Sequence, residues 1–339
     1  KGKGYSPAEE RPADYHGVGP FDPETGRPRK PSGADFSHVF GQELTKLAGE
    51  DERVCAITAA MQEGTGLTEF AGAYPRRLFD VGIAEGHAVS MAGGMAKQGL
   101  LPVFAVYSSF LQRGYDQLIQ DVALDSLHVV LGVDRAGLVG ADGETHHGCF
   151  DALYLAQVPH MTVLCPASFA ELRQMLRRAV FALTGPVAVR YPRGGEGVYR
   201  GCCGDETFTE LRRGDDCTIL AYGILINEAL AAAELLCQAG IEARVVKLNA
   251  IAPLRNDEVL AALGTEKHLL VLEDCMGSGC VGQRLTAILA QQGRMPGRLI
   301  LKNLGDTIPC HGSVPQLYAQ CGLDAEHVAA ALKEACHEQ

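Results

Sequence analysis

Between residues 36 and 192 the chain alternates short apolar runs with helix-length stretches, and no other feature limits its possible folds as strongly. The runs are VCAIT (54–58), LFDVGI (78–83), LPVFAVY (101–107), LHVVLGVD (127–134), MTVLCP (161–166) and VAVRYP (187–192). They lack the apolar–polar alternation of a strand wetted on one face. Short strands buried on both faces and separated by helices imply a parallel sheet with helices on either side.

A polar, glycine-rich break follows at 194–216, and then the rhythm resumes. CTILAYG (217–223), ARVVKLN (243–249), HLLVLED (268–274) and RLILKNLG (298–305) read as strands. INEALAAAELLCQAG and VGQRLTAILAQQG read as helices, with Gly240 as a helix stop. The expected fold class is therefore α/β, with two doubly wound domains: a mostly parallel one at 36–200 and a smaller one at 210–339. Residues 1–35 are rich in Pro, Gly and charge, carry no apolar period, and read as a linker. A start at KGKGY in place of Met points to sequence preceding it.

Composition supports two cores and narrows the partners. The 339 residues are 47% hydrophobic and 21% charged, which is enough apolar material for two domains. A net charge of −11 argues against a general binder of nucleic acid or anionic membrane, since both need a basic footprint. No signal peptide or apolar membrane-length run is present. The 12 cysteines include no Cys-x-x-Cys pair. They read as reduced, mostly buried thiols of a cytoplasm-like compartment, not as a zinc site.

Several residues stand where such folds bind ligands, at the carboxyl ends of strands. Glu85 opens a helix made almost wholly of Ala, Gly, Ser and Met, and is the only acid in that stretch. Read by itself it is a carboxylate favoured by the helix dipole. Phe110 by itself is more often a core residue, and Arg113 equally a surface ion pair. Arg135 ends an apolar strand, where a guanidinium needs an acid or a bound anion; Asp134 is its simplest partner. Asp142 and His146 lie in the glycine-flanked loop GADGETHHG. A loop with paired acid and His suits proton transfer near neutral pH. GSGCVGQ (277–283) reads G-x-G-x-x-G after a strand, a weak dinucleotide signal.

The segment FDVGIAEGHAV (79–89) resembles the cofactor-activating segment of transketolase-like thiamine-diphosphate enzymes. YSSFLQRGYDQ (107–117), VDRAGLVGADGETHHG (133–148) and VRYPRG (189–194) narrow the resemblance to the 1-deoxy-D-xylulose-5-phosphate synthase family. It runs from Tyr5 to the last helix.

The resemblance implies a transferase that condenses pyruvate with D-glyceraldehyde 3-phosphate, releasing CO2. The product, 1-deoxy-D-xylulose 5-phosphate, feeds isoprenoid, thiamine and pyridoxal synthesis. Glu85 then shares a proton with the aminopyrimidine of the cofactor, Phe110 stacks on that ring, and Ile83 lines the cofactor site. Tyr107 and Arg113 lie near the acceptor, Arg135 and Arg193 hold its phosphate, and Asp142 and His146 complete the pocket. His16 falls near the substrate. His147 stands where Gln is usual and reads as a bystander, and Gly86 stands where a Gln often follows the acid. Arg193 is preferred over Arg190 as the phosphate ligand.

The resemblance also implies Mg2+ beside thiamine diphosphate. The GDG…Asn grip that holds both is not found in the sequence, so no metal ligand is expected here. An N-terminal diphosphate-binding domain is the implied partner, in a homodimer. Two further readings stay open: another transketolase-like half (transketolase, or a 2-oxo-acid dehydrogenase β subunit) and a non-catalytic module.

Overall fold

The computed structural model describes residues 2–337 apart from 13, 14, 16, 17, 28–32 and 203. His16 lies outside the described residues. Two compact units form, residues 1–35 and residues 36–339. In the first, a short helix (Ser6–Glu10) precedes a small aromatic cluster, with the Tyr15 ring centre 5.6 Å from Tyr5 and 5.4 Å from Phe21.

The second unit holds two sheets. Strands β1 (Val54–Thr58), β2 (Leu78–Asp80), β3 (Leu101–Tyr107), β4 (Val130–Asp134), β5 (Thr162–Leu164) and β6 (Val187–Arg190) pair in parallel. Strands β7 (Phe208–Arg212), β8 (Cys217–Tyr222), β9 (Ala243–Leu248), β10 (Ala250–Ala252), β11 (His268–Leu272) and β12 (Arg298–Lys302) follow. The first sheet runs β10-β5-β6-β4-β3-β1-β2 and the second β12-β11-β8-β9-β7. Both are mostly parallel and carry helices, so the α/β expectation with two domains holds. Every residue of β1, β4, β6 and β8 is buried, as strands covered on both faces must be.

Two strands depart from the sequence reading. Within the supposed break, β7 pairs antiparallel with β9 at the sheet edge. Its run FTELR is half-buried, so no apolar signal marks it. β10 belongs in sequence to the second domain but pairs antiparallel with β5, closing an edge of the first sheet. The run LFDVGI also stops early, at Asp80, because the Asp80 Oδ1 accepts the N–H groups of Gly82 (2.9 Å) and Ala60 (2.8 Å) and turns the chain.

Packing follows the pattern of the chain. Helix Phe36–Glu50 buries Phe36, Val39, Phe40, Leu44 and Leu47, an apolar stripe at helical spacing. Phe40 presses on β4 where Gly132 leaves room; a Cβ there would lie 2.5 Å from the ring. In the second sheet, Glu273 accepts the N–H groups of Val281 (2.9 Å) and Gly282 (2.8 Å) at the start of helix Val281–Gln291. The chain's own carboxylate thus sits where the G-x-G-x-x-G reading would place a pyrophosphate.

Buried ion pairs tie the two sheets together. Arg190, at the end of β6, places Nε 2.7 Å from Asp151 and Nη2 3.1 Å from Asp274. Lys247 of β9, fully buried, reaches Glu171 of helix Phe169–Phe181 at 3.1 Å. Among the described residues the cysteines form no disulfide, and burial pushes Cys55 up to about 11 and Cys149 to about 12, far from reactive thiolates. No helix among the described residues is long and apolar enough to cross a membrane.

Removing the Arg190 guanidinium strands two buried carboxylates. Arg190→Leu should lower unfolding stability by about 3–5 kcal/mol in denaturant melts. A loss below about 1 kcal/mol would show that the triad does not hold the sheets together.

Candidate functional site

The carboxyl ends of β1 to β4 and β6 converge on one patch. After β2, the Asp80 turn and Gly82 (φ 68°) lead into helix Glu85–Lys97. Glu85 opens that helix and is 3% exposed, so its carboxylate is dry yet set against helical N–H groups. Arg113 Nη1 approaches both of its oxygens at 3.3 Å. The Arg113 side chain is 60% exposed, so this pair is a weak one, worth at most about 1 kcal/mol.

Aromatic rings continue the patch. The Phe110 centre lies 5.8 Å from the Arg113 guanidinium, 5.6 Å from Tyr107 and 5.4 Å from His146. The His146 Nδ1 is 2.8 Å from the Thr145 hydroxyl. Burial pushes the Tyr107 hydroxyl above its ordinary value, so it stays protonated.

Arg135 spreads its guanidinium 3.7 Å over the Tyr107 ring. It holds a left-handed backbone (φ 59°), costly by about 1–2 kcal/mol for a residue with a Cβ. Its Nη1 donates to the Gly64 carbonyl at 3.0 Å and lies 3.6 Å from Asp134. Asp142 Oδ2 bridges two arginines, 3.4 Å from Arg135 Nε and 3.3 Å from Arg193 Nε. Arg193 Nη1 donates to the Val139 carbonyl at 3.2 Å. The Nη2 ends of Arg135 and Arg193 carry no hydrogen bond among the described residues, leaving two donors for an anion.

Glu85, Arg113, Phe110, Tyr107, His146, Arg135, Asp142 and Arg193 thus form one unbroken chain of contacts. Ile83 stands two residues before Glu85 with 80% of its side chain exposed. Arg190 is wholly engaged in the buried triad, so of the two arginines in RYPRG it is Arg193 that faces the patch. Among the described residues three buried polar atoms that follow these strands lack a partner: Thr58 Oγ1 at the end of β1, Ser109 Oγ just after β3, and Gln117 Oε1 on helix Tyr115–Gln117. Gln117 Oε1 lies 3.1 Å from where a side chain on Gly86 would begin. A dry carboxylate, an aromatic face beside it and orphaned polar atoms fit an aminopyrimidine ring. No group of three or more metal-ligating side chains occurs among the described residues.

Residues 32–195 match the family model described as the transketolase pyrimidine-binding domain, and residues 207–328 that of the transketolase C-terminal domain. The chain belongs to the transketolase family. Within the family it is similar to 1-deoxy-D-xylulose-5-phosphate synthase 1 of Geobacter sulfurreducens, 44% identical over 98% of this chain and 53% of the relative. The 1-deoxy-D-xylulose-5-phosphate synthase of Chlorobaculum tepidum is 44% identical over 98% of this chain and 54% of the relative. The chain therefore spans about half the length of the curated relatives it matches.

Solved structures agree on the transketolase fold. A split gene transketolase, described as an inactive beta4 tetramer, superposes with a TM-score of 0.78 at 25% identity, over 90% of this chain and 99% of that one. Transketolase of Pichia stipitis, in complex with sedoheptulose-7-phosphate, gives 0.75 at 16% identity over 90% of this chain and 46% of that one, a likeness of fold.

Two residues of this transketolase-family site escaped the sequence reading. Gly64, after β1, has no side chain and so leaves room for the Tyr107 hydroxyl, 1.8 Å from a would-be Cβ. The signal was available: EGTG follows an apolar run at the ligand-binding edge. His147 reads from sequence as a bystander; in the fold it is 3% exposed and its Nδ1 accepts the Val139 N–H at 3.2 Å.

Burial holds the His147 pKa below the ordinary 6.5; His146 adds to this, while the Cys310 and Pro309 carbonyls and Glu144 oppose it. The folded value lies under the unfolded one, so the unfolded chain takes the proton first. The stability from this residue is complete above pH 6.5 and drains away as pH falls from there through the folded value. NMR titration of the His147 ring should give a midpoint below 6.5; one at or above it would contradict this account.

Proposed function

We propose that the chain provides the pyrimidine-side and acceptor-side half of a 1-deoxy-D-xylulose-5-phosphate synthase. The reaction is the thiamine-diphosphate-dependent condensation of pyruvate with D-glyceraldehyde 3-phosphate, with loss of CO2. One observation carries the reading: a dry Glu85 and a pair of arginines bridged by Asp142 lie on the same run of contacts. The 44% identity to named synthases over 98% of the chain supports it.

When bound, thiamine diphosphate would supply a carbon nucleophile for the 2-oxo acid and an electron sink for the carbanion left when CO2 departs, which is what the aldehyde captures. Glu85 would hold or return a proton at the pyrimidine nitrogen, as a buried carboxylate at the opening of its helix. Phe110 offers the ring a flat apolar face. Arg113, loosely paired and largely exposed, can yield Glu85 to the ring and turn toward substrate. Arg135 and Arg193 would take the acceptor phosphate through their remaining N–H donors. His146, held at Nδ1 by Thr145, leaves Nε2 to move a proton at the acceptor carbonyl oxygen. The diphosphate, its Mg2+ and their ligands would belong to an N-terminal domain, Ile83 would line the cofactor site, and His16, outside the described residues, would act on the substrate. Pairing as a homodimer in the cytoplasm completes the reading. The split gene transketolase, an inactive beta4 tetramer, supports expecting no turnover from this chain alone.

The test combines the chain with a diphosphate-binding half, thiamine diphosphate, Mg2+, pyruvate and glyceraldehyde 3-phosphate. Glu85→Ala should cut kcat at least about a thousandfold, or about 4 kcal/mol of barrier. Arg193→Leu should raise KM for the aldehyde with little change for pyruvate. Unchanged turnover in Glu85→Ala would end the assignment, and preference for a ketose donor over pyruvate would favour a transketolase.

A further inference from the structure

Asp142 sits in a loop with little regular structure, and Arg193 must meet it there, so something has to fix that loop. Its neck is closed where Gly137 and Gly148 exchange N–H···O=C bonds, both 2.8 Å. Inside the neck one side chain reaches across. His147 Nδ1 accepts from Val139 N–H at 3.2 Å, and the Val139 carbonyl accepts from Arg193 Nη1 at 3.2 Å. Val139 is thus held on both sides of its Cα, which fixes its two torsions. The next residue, Gly140, takes φ 67°, so without that hold the loop could swing at a glycine.

The far side of His147 meets the C-terminal domain. Nε2 faces the Pro309 and Cys310 carbonyls without reaching hydrogen-bond geometry. A Cβ on Gly140 would lie 3.0 Å from the Gly312 carbonyl, and one on Gly143 3.5 Å from the His311 ring. The loop before helix Val314–Cys321 therefore backs the substrate loop directly.

We propose that His147 is a positioning residue: through Val139 it sets Arg193 against Asp142, and it makes the C-terminal domain the support of the anion site. The identity of the anion, a phosphate monoester, rests on the function proposed above. The contact requires neutral His147 with its proton on Nε2, so that Nδ1 can accept.

The test uses the 339-residue chain itself, with labelled arginine side chains and glycerol 3-phosphate as an unreactive probe. In His147→Ala the Arg193 Nε–H resonance should move and probe affinity should fall about tenfold. In His147→Gln, whose amide oxygen can also accept the Val139 N–H, both should return to within about threefold of the unchanged chain. An Arg193 resonance unmoved in His147→Ala, or His147→Gln no better than His147→Ala, would overturn the inference. If His147→Ala does not fold, the 15N shifts of the His147 ring in the unchanged chain decide: a proton on Nδ1 overturns the proposal, and one on Nε2 supports it. Arg193→Leu separates the two readings. Undiminished probe binding there would sink the acceptor site, while the Arg193 resonance in the His147 variants would still judge the positioning role.

Discussion

The buried guanidinium of Arg190 is the constraint on which the rest of the molecule leans. A charge taken wholly out of water is tolerable only when acids surround it, and here the acids come from different places. Asp151 belongs to the short helix after the Gly137–Gly148 loop, and Asp274 follows β11 of the second sheet. Meeting both demands that β6, the loop end and the second sheet arrive together. Gly137, beside the site, has no Cβ because Asp274 occupies that space at 1.8 Å. The pair Lys247–Glu171 repeats the arrangement on the other flank, with Tyr199 donating to Glu171 at 2.7 Å. The patch that carries Arg135, Asp142 and Arg193 thus rests on a foundation shared by both domains.

That foundation explains how opposite demands coexist across one surface. At one end Glu85 is dry and its partner Arg113 is largely exposed. At the other, Arg135 is largely buried, spread on Tyr107 and anchored to Gly64. The first arrangement leaves a buried carboxylate with one loosely held cation, and the second fixes positive charge in place. Phe110 and Tyr107, stacked and half-buried, stand between the two ends.

Much of the architecture was legible because buried parallel strands write themselves as uninterrupted apolar runs; β1 and β3 begin and end where VCAIT and LPVFAVY do. β7 and β10 were not, because an edge strand needs only half a face of apolar residues and a three-residue strand leaves no period. The preference for Arg193 over Arg190 came from the family resemblance, and a physical reason for leaving Arg190 aside needs Asp151 and Asp274 in view. His147 was opaque for a related cause. Its partner is the N–H of Val139, eight residues back, and a backbone group leaves no trace in a sequence. Its neighbours at 309–310 lie more than a hundred and fifty residues away along the chain.

The antiparallel contribution of β10 has a consequence for synthesis and not only for shape. During translation the six parallel strands of the first sheet are complete once Arg190 has emerged, but β5 then waits at an open edge for residues 250–252. Until they follow, a row of unpaired backbone groups on TVL is available to any passing strand. The two domains defined by sequence are therefore not separable building blocks. A ribosome that stalled between residues 200 and 250, or an engineer who cut there, would release a sheet that is finished in its middle and adhesive at its rim.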